Sequence, residues 1–366
     1  MSVAVVVGTR PEIIKMSPII RELDHRGLDY KIIHSGQHYD HEVSDIFFQE
    51  LNLPEPDRYL GVGSGTQGEQ TGNALIKLEK AFDDFDTDTV LVQGDTNTVL
   101  AGSLAGVKMG IDVGHIEAGL RSYDYRMPEE YNRRLADHAS SLLFAPTEES
   151  AEILRGESVW GEIFVTGNSV IDACLQNMKI AEEKASFDFN IPDEYVLVTA
   201  HRAENVDDKE VQKEFIKLFK KIDENIIYPI HPRSVKMFKK YGLYDKLDGI
   251  EGMKLVKPQG YLEFLLLMKN SKYILTDSGG IQEEATAPNI NKKVFVLRES
   301  TERPEAVDSG HTEVVGTKSD EILSIINNFD MDRWKPSEGP YGEGTTAEQI
   351  VDIVQRSKNG IDDFTA

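Results

Sequence analysis

Short, uninterrupted apolar runs recur along the whole chain, and longer segments of mixed polarity separate them. Residues 3–7 form the first run, and residues 89–92, 195–198 and 294–297 repeat it. Runs of this length are typical of buried strands in parallel sheets, and the intervening segments have the length of helices. Strands that alternate with helices in both halves of the chain predict two doubly wound α/β domains.

A polar segment with helical composition separates the two halves and includes Glu182, Glu183 and Lys184. The strand pattern restarts after it at residue 195, so we interpret this segment as the connection between the domains. Near the end of the chain, a glycine-rich turn at residues 340–345 precedes an amphipathic helix. Its apolar side chains, Ile350, Val351 and Val354, are predicted to face inward.

Charged side chains follow several predicted strands of the first half. Arg10 and Lys15 belong to the GTRPEIIK stretch after the first strand, and Asp95 and Glu117 come directly after two later strands. Open α/β sheets bind ligands at the carboxyl ends of their strands, so these side chains are candidates for one crevice. Glu129 opens a helix just beyond and is a third acidic candidate, although capping of that helix would also explain it.

The second half carries its own set of polar side chains after strands, which are His201, His231, Ser278 and Arg303. The most informative stretch is TDSGGIQEE at residues 276–284, which predicts a strand, a small-residue turn and a helix start. Unpaired N–H groups at a helix start and glycines that admit close approach make such a turn suitable for phosphate. Glu284, in the first turns of that helix, is placed to accept hydrogen bonds from ribose hydroxyls.

A formal G-x-G-x-x-G occurs at Gly63, Gly65 and Gly68. A dinucleotide fingerprint should follow a buried first strand, whereas the preceding stretch contains Pro54 and Pro56. We therefore do not expect NAD binding there and interpret the stretch as a mobile glycine loop over the site.

The composition limits which partners, crosslinks and metal sites the protein can have. The 366 residues include 40 Lys and Arg against 63 Asp and Glu, a net charge of −23, which disfavours nucleic acid and anionic membranes as partners. The single cysteine, Cys174, excludes an internal disulfide and a thiolate metal cluster, and we expect no metal site. No signal peptide or membrane-length apolar run is present, so we expect a soluble cytoplasmic protein.

Taken together, VVVGTRPEIIK, QGDTNT, HIEAGLRS, PEEYNRR, VTGNSVIDA, TAHRAEN, YPIHPRS, PQGYLEF, TDSGGIQEEA, TERPEA and PYGEG resemble the non-hydrolysing UDP-N-acetylglucosamine 2-epimerases. These motifs occur in order over residues 5–345. The resemblance implies a glycosyltransferase-B-like fold, in which two Rossmann-like domains face a central cleft and the C-terminal helix packs back on the first domain. The expected domains are residues 1–170 with 346–366, and residues 171–345, which bind UDP. A homodimer without metal or NAD is also implied.

The resemblance also assigns roles to individual residues. Those that match the family's catalytic positions are Asp95, Glu117, Glu129 and His201. Those that match its substrate contacts include Arg10, Lys15, Gln259, Phe264, Ser278, Gly279, Gly280, Glu284 and Arg303. One stretch departs from the bacterial pattern, at Tyr39-Asp40-His41-Glu42. In bacterial members this region helps to hold a second, activating UDP-N-acetylglucosamine, so such activation is either missing here or made with different contacts.

The implied isomerase activity interconverts UDP-N-acetylglucosamine and UDP-N-acetylmannosamine, which usually feed surface polysaccharide or glycan synthesis. The C2 proton of the sugar is not acidic enough for a carboxylate to remove directly. Loss of UDP from C1 makes this proton acidic, and its removal by a carboxylate gives 2-acetamidoglucal. Reprotonation on the other face and return of UDP to C1 give the manno epimer. The alternatives are a hydrolysing 2-epimerase, a glycosyltransferase of the same fold, and a nucleotide-sugar sensor without turnover.

Overall fold

The structure, a computed structural model, describes residues 1–36 and 41–357, apart from the side chains of residues 41–45. The chain divides into two compact units. The first comprises Met1–Ala173 and the returning segment that begins at Tyr341, and the second comprises Cys174–Pro340. The sequence-based borders, 170/171 and 345/346, lie within a few residues of these.

The first unit contains a seven-stranded sheet with helices between the strands. In chain order its elements are β1 (Ser2–Val7), α1 (Arg10–His25), β2 (Asp29–His34), α2 (His41–Glu50), β3 (Arg58–Tyr59), α3 (Gln67–Asp84), β4 (Thr89–Gln93), α4 (Asn97–Lys108), β5 (Asp112–Ile116), α5 (Pro128–Ala139), β6 (Leu142–Ala145), α6 (Glu148–Gly156), β7 (Glu162–Val165) and the start of α7 (Ser169–Lys184). The last helix of the chain, α16 (Thr346–Ser357), also belongs here.

The sheet of the first unit has the strand order β3-β2-β1-β4-β5-β6-β7, and every pair is parallel. The order reverses between β1 and β4, so the connections that leave these two neighbours diverge and leave a gap at their carboxyl ends. All six residues of β1 are buried, as expected for a central parallel strand.

The turn after β1 requires glycine. A Cβ atom at Gly8 would lie 2.4 Å from the hydroxyl of Ser35 and 2.6 Å from that of Thr98, which hydrogen bond to each other at 2.8 Å. Any side chain at this position would separate the carboxyl ends of β1, β2 and the start of α4. Gly8 therefore keeps the strand-order reversal closely packed.

The final helix packs on the first unit, as the sequence predicts. Helix α16 contacts α1, where Arg26 pairs with Asp352 and donates to Gln355 at 2.8 Å. At the other end of α16, the buried carboxylate of Asp172 accepts a hydrogen bond from the Ala347 N–H at 3.0 Å.

The second unit contains a six-stranded parallel sheet. After the remainder of α7, its elements are β8 (Tyr195–Thr199), α8 (Ala203–Val206), α9 (Lys209–Phe219), β9 (Asn225–Pro229), α10 (Pro232–Lys240), α11 (Tyr244–Asp248), β10 (Met253–Val256), α12 (Tyr261–Asn270), β11 (Ile274–Thr276), α13 (Gly279–Glu284), β12 (Val294–Val296), α14 (Pro304–Asp308), β13 (Thr312–Val314) and α15 (Ser319–Asn328).

The strand order of the second sheet is β10-β9-β8-β11-β12-β13, so the reversal falls between β8 and β11. Its core is mainly aliphatic and includes a group of aromatic rings, with Phe215, Phe219 and Tyr228 in edge or tilted contact at ring distances of 6.0–6.2 Å. The α/β prediction with two parallel sheets is confirmed, whereas strands β3 and β13 were not predicted because neither has an apolar run. No helix within the described residues is long and apolar enough to cross a membrane.

Candidate active site

Glu117 is a tightly held acidic side chain at the carboxyl edge of the first sheet. It follows β5 directly, is 7% exposed and adopts a left-handed backbone conformation with φ of 66°. Three side chains donate to its carboxylate: the Lys15 ammonium, the Gln93 amide and the Asn168 amide, the last at 2.9 Å. An uncommon φ for a non-glycine residue persists only where the surroundings enforce it, and these donors supply that enforcement.

Asp95 lies beyond β4, next to the strand-order reversal. Its carboxylate is partly exposed and pairs with Arg133 of α5. Its main-chain carbonyl accepts from the Asn132 amide at 3.0 Å, and the same amide reaches Asn97 at 3.2 Å. Helix α5 therefore fixes both the backbone and the side chain of Asp95.

Glu129 and Glu130 have different surroundings although they are adjacent at the start of α5. Glu130 is fully buried and accepts from the N–H and hydroxyl of Ser122 at 2.9 and 2.8 Å, and it pairs with Arg134 at 3.1 Å. Burial alone would raise the pKa of Glu130, but these donors and Arg133 hold it below its ordinary value. Glu130 thus has a structural role, whereas the Glu129 side chain is partly exposed.

The turn that carries Arg10 is held by a buried carboxyl group. Glu12 accepts from the N–H groups of Gly8 and Thr9, the latter at 3.2 Å, and it is 2% exposed. Burial raises the pKa of Glu12 to about 7, against the lowering effect of these N–H groups. The Arg10 guanidinium itself stacks on the ring of Phe47, 4.4 Å from its centroid.

A buried network of charges supports the turn after β4 that carries Asp95. The two ring nitrogens of His115 contact the Asp137 carboxylate at 2.7 Å and the Gly94 carbonyl at 2.8 Å. Burial alone would lower the pKa of His115, but Asp137 and Gly94 outweigh it and raise the pKa. Arg121 bridges Asp137 and Glu157 at 2.7 and 2.8 Å, so each buried charge has an opposite partner.

In the second unit, Asp277 organises the turns after β8 and β11. This fully buried carboxylate accepts from the main-chain N–H groups of His201 and Arg202 at 2.9 Å, and from the Asn205 amide at 3.0 Å. It also lies 3.2 Å from the Nδ1 atom of His201. Burial alone would raise the pKa of Asp277, but His201 and the N–H donors keep it below its ordinary value.

His201 presents its ring at the strand-order reversal of the second sheet, with 42% of its side chain exposed. His231, after β9, lies beside it with ring centroids 5.9 Å apart. Burial, followed by the neighbouring His201 and Arg233, lowers the pKa of His231. Its Nδ1 atom accepts from the Arg233 N–H at 3.1 Å and caps α10, which is a structural use of this ring.

The small-residue turn at Ser278–Gly280 has a guanidinium beside it. A Cβ atom built on the buried Gly279 would lie 4.0 Å from the Arg303 guanidinium, which is ordinary van der Waals contact. Arg303 is held by Glu283, which is 1% exposed, and the Gln282 amide donates to the Ser278 carbonyl at 3.1 Å. The predicted strand, turn and helix start are all present, with an arginine fixed next to the turn.

The remaining predicted substrate contacts lie on the same unit. Glu284 is partly exposed on α13, and Phe264 is partly buried on α12. Gln259 lies in the turn after β10, where its amide donates to the Lys257 carbonyl at 2.7 Å. All three therefore belong to helices or turns that follow the carboxyl ends of strands in this sheet.

The glycine stretch does not have the context of a dinucleotide fingerprint. It follows β3, a two-residue edge strand, and Gly68 lies inside α3, whose N-cap is Thr66. The Gln70 amide donates to the Gly63 carbonyl at 3.3 Å, which fastens this loop to α3.

Several supporting residues escaped sequence reasoning, in particular Gln93, Asn168, Asp277 and Glu283. Each lies inside a recognised motif, but a neutral amide or a buried carboxylate gives no sign of its partner in the sequence. The departure from the bacterial pattern at Tyr39-Asp40-His41-Glu42 lies outside the residues whose side chains are described.

Comparison with known proteins identifies the family of the chain. The family model described as UDP-N-acetylglucosamine 2-epimerase matches residues 21–355. The UDP-N-acetylglucosamine 2-epimerase of Methanocaldococcus jannaschii is 48% identical, over 98% of this chain and 100% of that protein. Its crystal structure in complex with UDP-GlcNAc and UDP superposes with a TM-score of 0.82, at 47% identity over 97% of this chain and 100% of that one.

A relative with another sugar substrate in its name also matches. The UDP-2,3-diacetamido-2,3-dideoxy-D-glucuronate 2-epimerase of Pseudomonas aeruginosa is 34% identical, over 97% of this chain and 100% of that protein. The chain belongs to the UDP-N-acetylglucosamine 2-epimerase family, an isomerase family with a glycosyltransferase-B-like fold of two parallel sheets. The family predicted from the sequence motifs is confirmed.

The buried Glu12 carboxyl gives a pH-dependent prediction. Its pKa is about 7 in the folded protein and near 4.3 in an unfolded chain, so the unfolded chain releases this proton first. Its contribution to stability is complete below about pH 4.3 and is lost as the pH rises towards 7. We expect the melting temperature of wild type, relative to Glu12→Gln, to fall between pH 5 and pH 8.

Differential scanning fluorimetry of both proteins across this range measures the effect. The difference between the two proteins cancels other titrating groups, since both share them. A melting-temperature difference that stays constant with pH would contradict the assignment of Glu12.

Proposed function

We propose that this protein interconverts UDP-N-acetylglucosamine and UDP-N-acetylmannosamine by reversible elimination and re-addition of UDP, without hydrolysis. The observation that carries the proposal is the placement of Asp95 and Glu117 at the carboxyl ends of neighbouring strands β4 and β5. The 48% identity to a relative named for this activity supports the choice of sugar nucleotide.

The chemistry explains why carboxylates are needed. The C2 proton becomes acidic only when the bond from C1 to UDP breaks and positive charge develops on the sugar ring. A carboxylate then removes the proton to give 2-acetamidoglucal, and a proton returns to the opposite face before UDP adds again. General acid–base groups of this kind contribute about 10²–10⁴-fold each.

In the first unit, the acidic residues perform the proton transfers. Glu117 is fixed by three donors. Asp95 is aligned by Arg133 and by α5, the helix that carries Arg133. Glu129 lies one residue before the structural Glu130 and is the third acidic group of the proposal. Arg10 and Lys15 supply positive charge for the substrate, with Lys15 already paired to Glu117.

In the second unit, the groups around the strand-order reversal hold UDP. Ser278 to Gly280 and Arg303 bind the phosphates, and Glu284 accepts from the ribose hydroxyls. His201 stabilises the departing phosphate, and Asp277 orients its ring. Gln259 and Phe264 complete the substrate contacts, so the protein needs neither NAD nor a metal in this mechanism.

We further propose that the protein acts as a homodimer in the cytoplasm, and that its product feeds surface polysaccharide or glycan synthesis. The net charge of −23 is compatible with a protein that binds neither nucleic acid nor membrane. Light scattering of the purified protein measures the oligomeric state, and the mass of a single chain would contradict a homodimer.

The reaction is tested with UDP-N-acetylglucosamine in D₂O, without NAD and with EDTA present. We expect NMR to show both intact UDP-sugars, with one deuterium at C2 of the product. Free N-acetylmannosamine with UDP would instead identify a hydrolysing enzyme. Turnover only of the diacetamido glucuronate substrate would move the protein to the activity named for the Pseudomonas relative, and absence of label at C2 would contradict the elimination route.

The division of labour between the units predicts two kinds of variant. Asp95→Asn and Glu117→Gln keep the shape of the side chain but remove the base, so turnover should fall about 10²-fold or more while UDP still binds. His201→Ala and Gly279→Val should weaken UDP binding as well, the latter because its side chain occupies the place beside Arg303 where we propose that the phosphate approaches. Steady-state turnover and calorimetric UDP affinity are the measurements.

Gly156→Val is the matched control for Gly279→Val. Gly156 ends α6, is exposed and has no atom within 4 Å of a built Cβ, so its replacement should leave both measurements unchanged. Near-normal turnover in Asp95→Asn and Glu117→Gln, or unchanged UDP affinity in a folded Gly279→Val protein, would refute the corresponding assignment.

A further inference from the structure

Asn168 is a buried amide with a partner on each side. It lies directly before α7 and is 1% exposed. Its Nδ2 atom donates to the Glu117 carboxylate at 2.9 Å, and its Oδ1 atom accepts from the Val170 N–H at 3.0 Å. The second contact is that of an N-cap on α7, while the first reaches a carboxylate on another strand.

The backbone of Asn168 is hydrogen bonded at the point where the chain leaves the first unit and where it later returns to it. Its N–H donates to the Tyr341 carbonyl at 2.9 Å. The preceding Gly167 has φ of 86°, and a Cβ atom there would lie 2.8 Å from that same carbonyl. The outgoing segment and the returning segment are therefore packed backbone to backbone at this point.

We propose that Asn168 is a positioning residue for the epimerisation, which holds Glu117 in its reactive orientation from the junction of these two segments. The inference rests on the proposed function, because it requires Glu117 to act on the substrate. A carboxylate can rotate about its terminal bonds, whereas the fixed amide, together with Lys15 and Gln93, defines where its oxygens lie. The N-cap alone would require only the Oδ1 atom of Asn168.

Asn168→Asp separates the two roles. Aspartate is as good an N-cap as asparagine, so the contact to Val170 is retained. It has no donor for Glu117, however, and it places a second carboxylate within hydrogen-bonding distance of the first. Asn168→Ala removes both the cap and the donor without adding charge.

The experiment measures kcat, KM, the inhibition constant of UDP and the melting temperature for Asn168→Asp, Asn168→Ala and Glu117→Gln. Thr147→Ala is the matched control, since Thr147 caps α6 through the Ser150 N–H at 3.2 Å and has no place in the proposed site. It should lower the melting temperature and leave kcat unchanged.

If Asn168 positions Glu117, kcat falls about 10- to 100-fold in Asn168→Ala, as expected for the loss of a hydrogen bond to a charged group. It falls at least as far in Asn168→Asp, in which a second buried carboxylate faces Glu117 without a donor, and the melting temperature of that variant falls as well because the two like charges repel. The inhibition constant of UDP stays at its wild-type value in both. A lower kcat in both variants at an unchanged inhibition constant of UDP, which the capping control Thr147→Ala does not show, supports the proposal.

Near-wild-type kcat in Asn168→Asp overturns the proposal and leaves Asn168 as an N-cap. This outcome is measured on Asn168→Asp and wild type alone, so it can be tested even when Asn168→Ala does not fold. If Glu117→Gln is inactive at the same time, the proposed function stands and only the inference about Asn168 fails. Near-wild-type turnover in Glu117→Gln overturns both.

Discussion

The reversal of strand order in each parallel sheet is the constraint on which the rest of the structure depends. Connections that diverge from β1 and β4, and from β8 and β11, leave the carboxyl ends of these strands accessible. The chain places its most informative polar residues there: Arg10 and Asp95 in the first unit, and His201 and Ser278 in the second. Gly8 shows how tightly this place is built, because even one added methyl group would collide with two hydroxyls.

The buried carboxylates of Glu117 and Asp277 are stable because opposite charges and N–H donors surround them. A lone carboxylate in the interior would cost several kcal/mol. Glu117 has an ammonium and two amides, and Asp277 has a histidine, two main-chain N–H groups and an amide. The same donors that make burial tolerable also fix the orientation of the carboxylates, so the contacts that stabilise the buried charges also set the geometry of the proposed site.

The sequence predicts most of the fold and most residues of the proposed site, but few of the residues that hold those side chains in place. Continuous apolar runs identify the central strands, whereas β3 and β13 have none and escape prediction. Asp95, Glu117 and His201 are visible because charged residues directly after buried strands are unusual. Asn168 and Glu283 are not, because their importance depends on partners 51 and 20 residues away in the chain.

The neighbours Glu129 and Glu130 show the same limit at close range. Both are acidic residues in the first turn of α5, and helix capping explains either equally well from the sequence. Only the structure shows that Glu130 is fully buried among Ser122 and two arginines, which assigns it the structural role. Side-chain environment, rather than residue type, makes this distinction.

The central claim is that the bond between C1 and the phosphate oxygen breaks during epimerisation. Positional isotope exchange tests it most directly, with UDP-N-acetylglucosamine that carries ¹⁸O in the bridge between C1 and phosphorus. Free rotation of the β-phosphate of released UDP should move the label into non-bridging positions in the recovered UDP-sugars. Label that remains entirely in the bridge, while the sugars epimerise, would contradict the account.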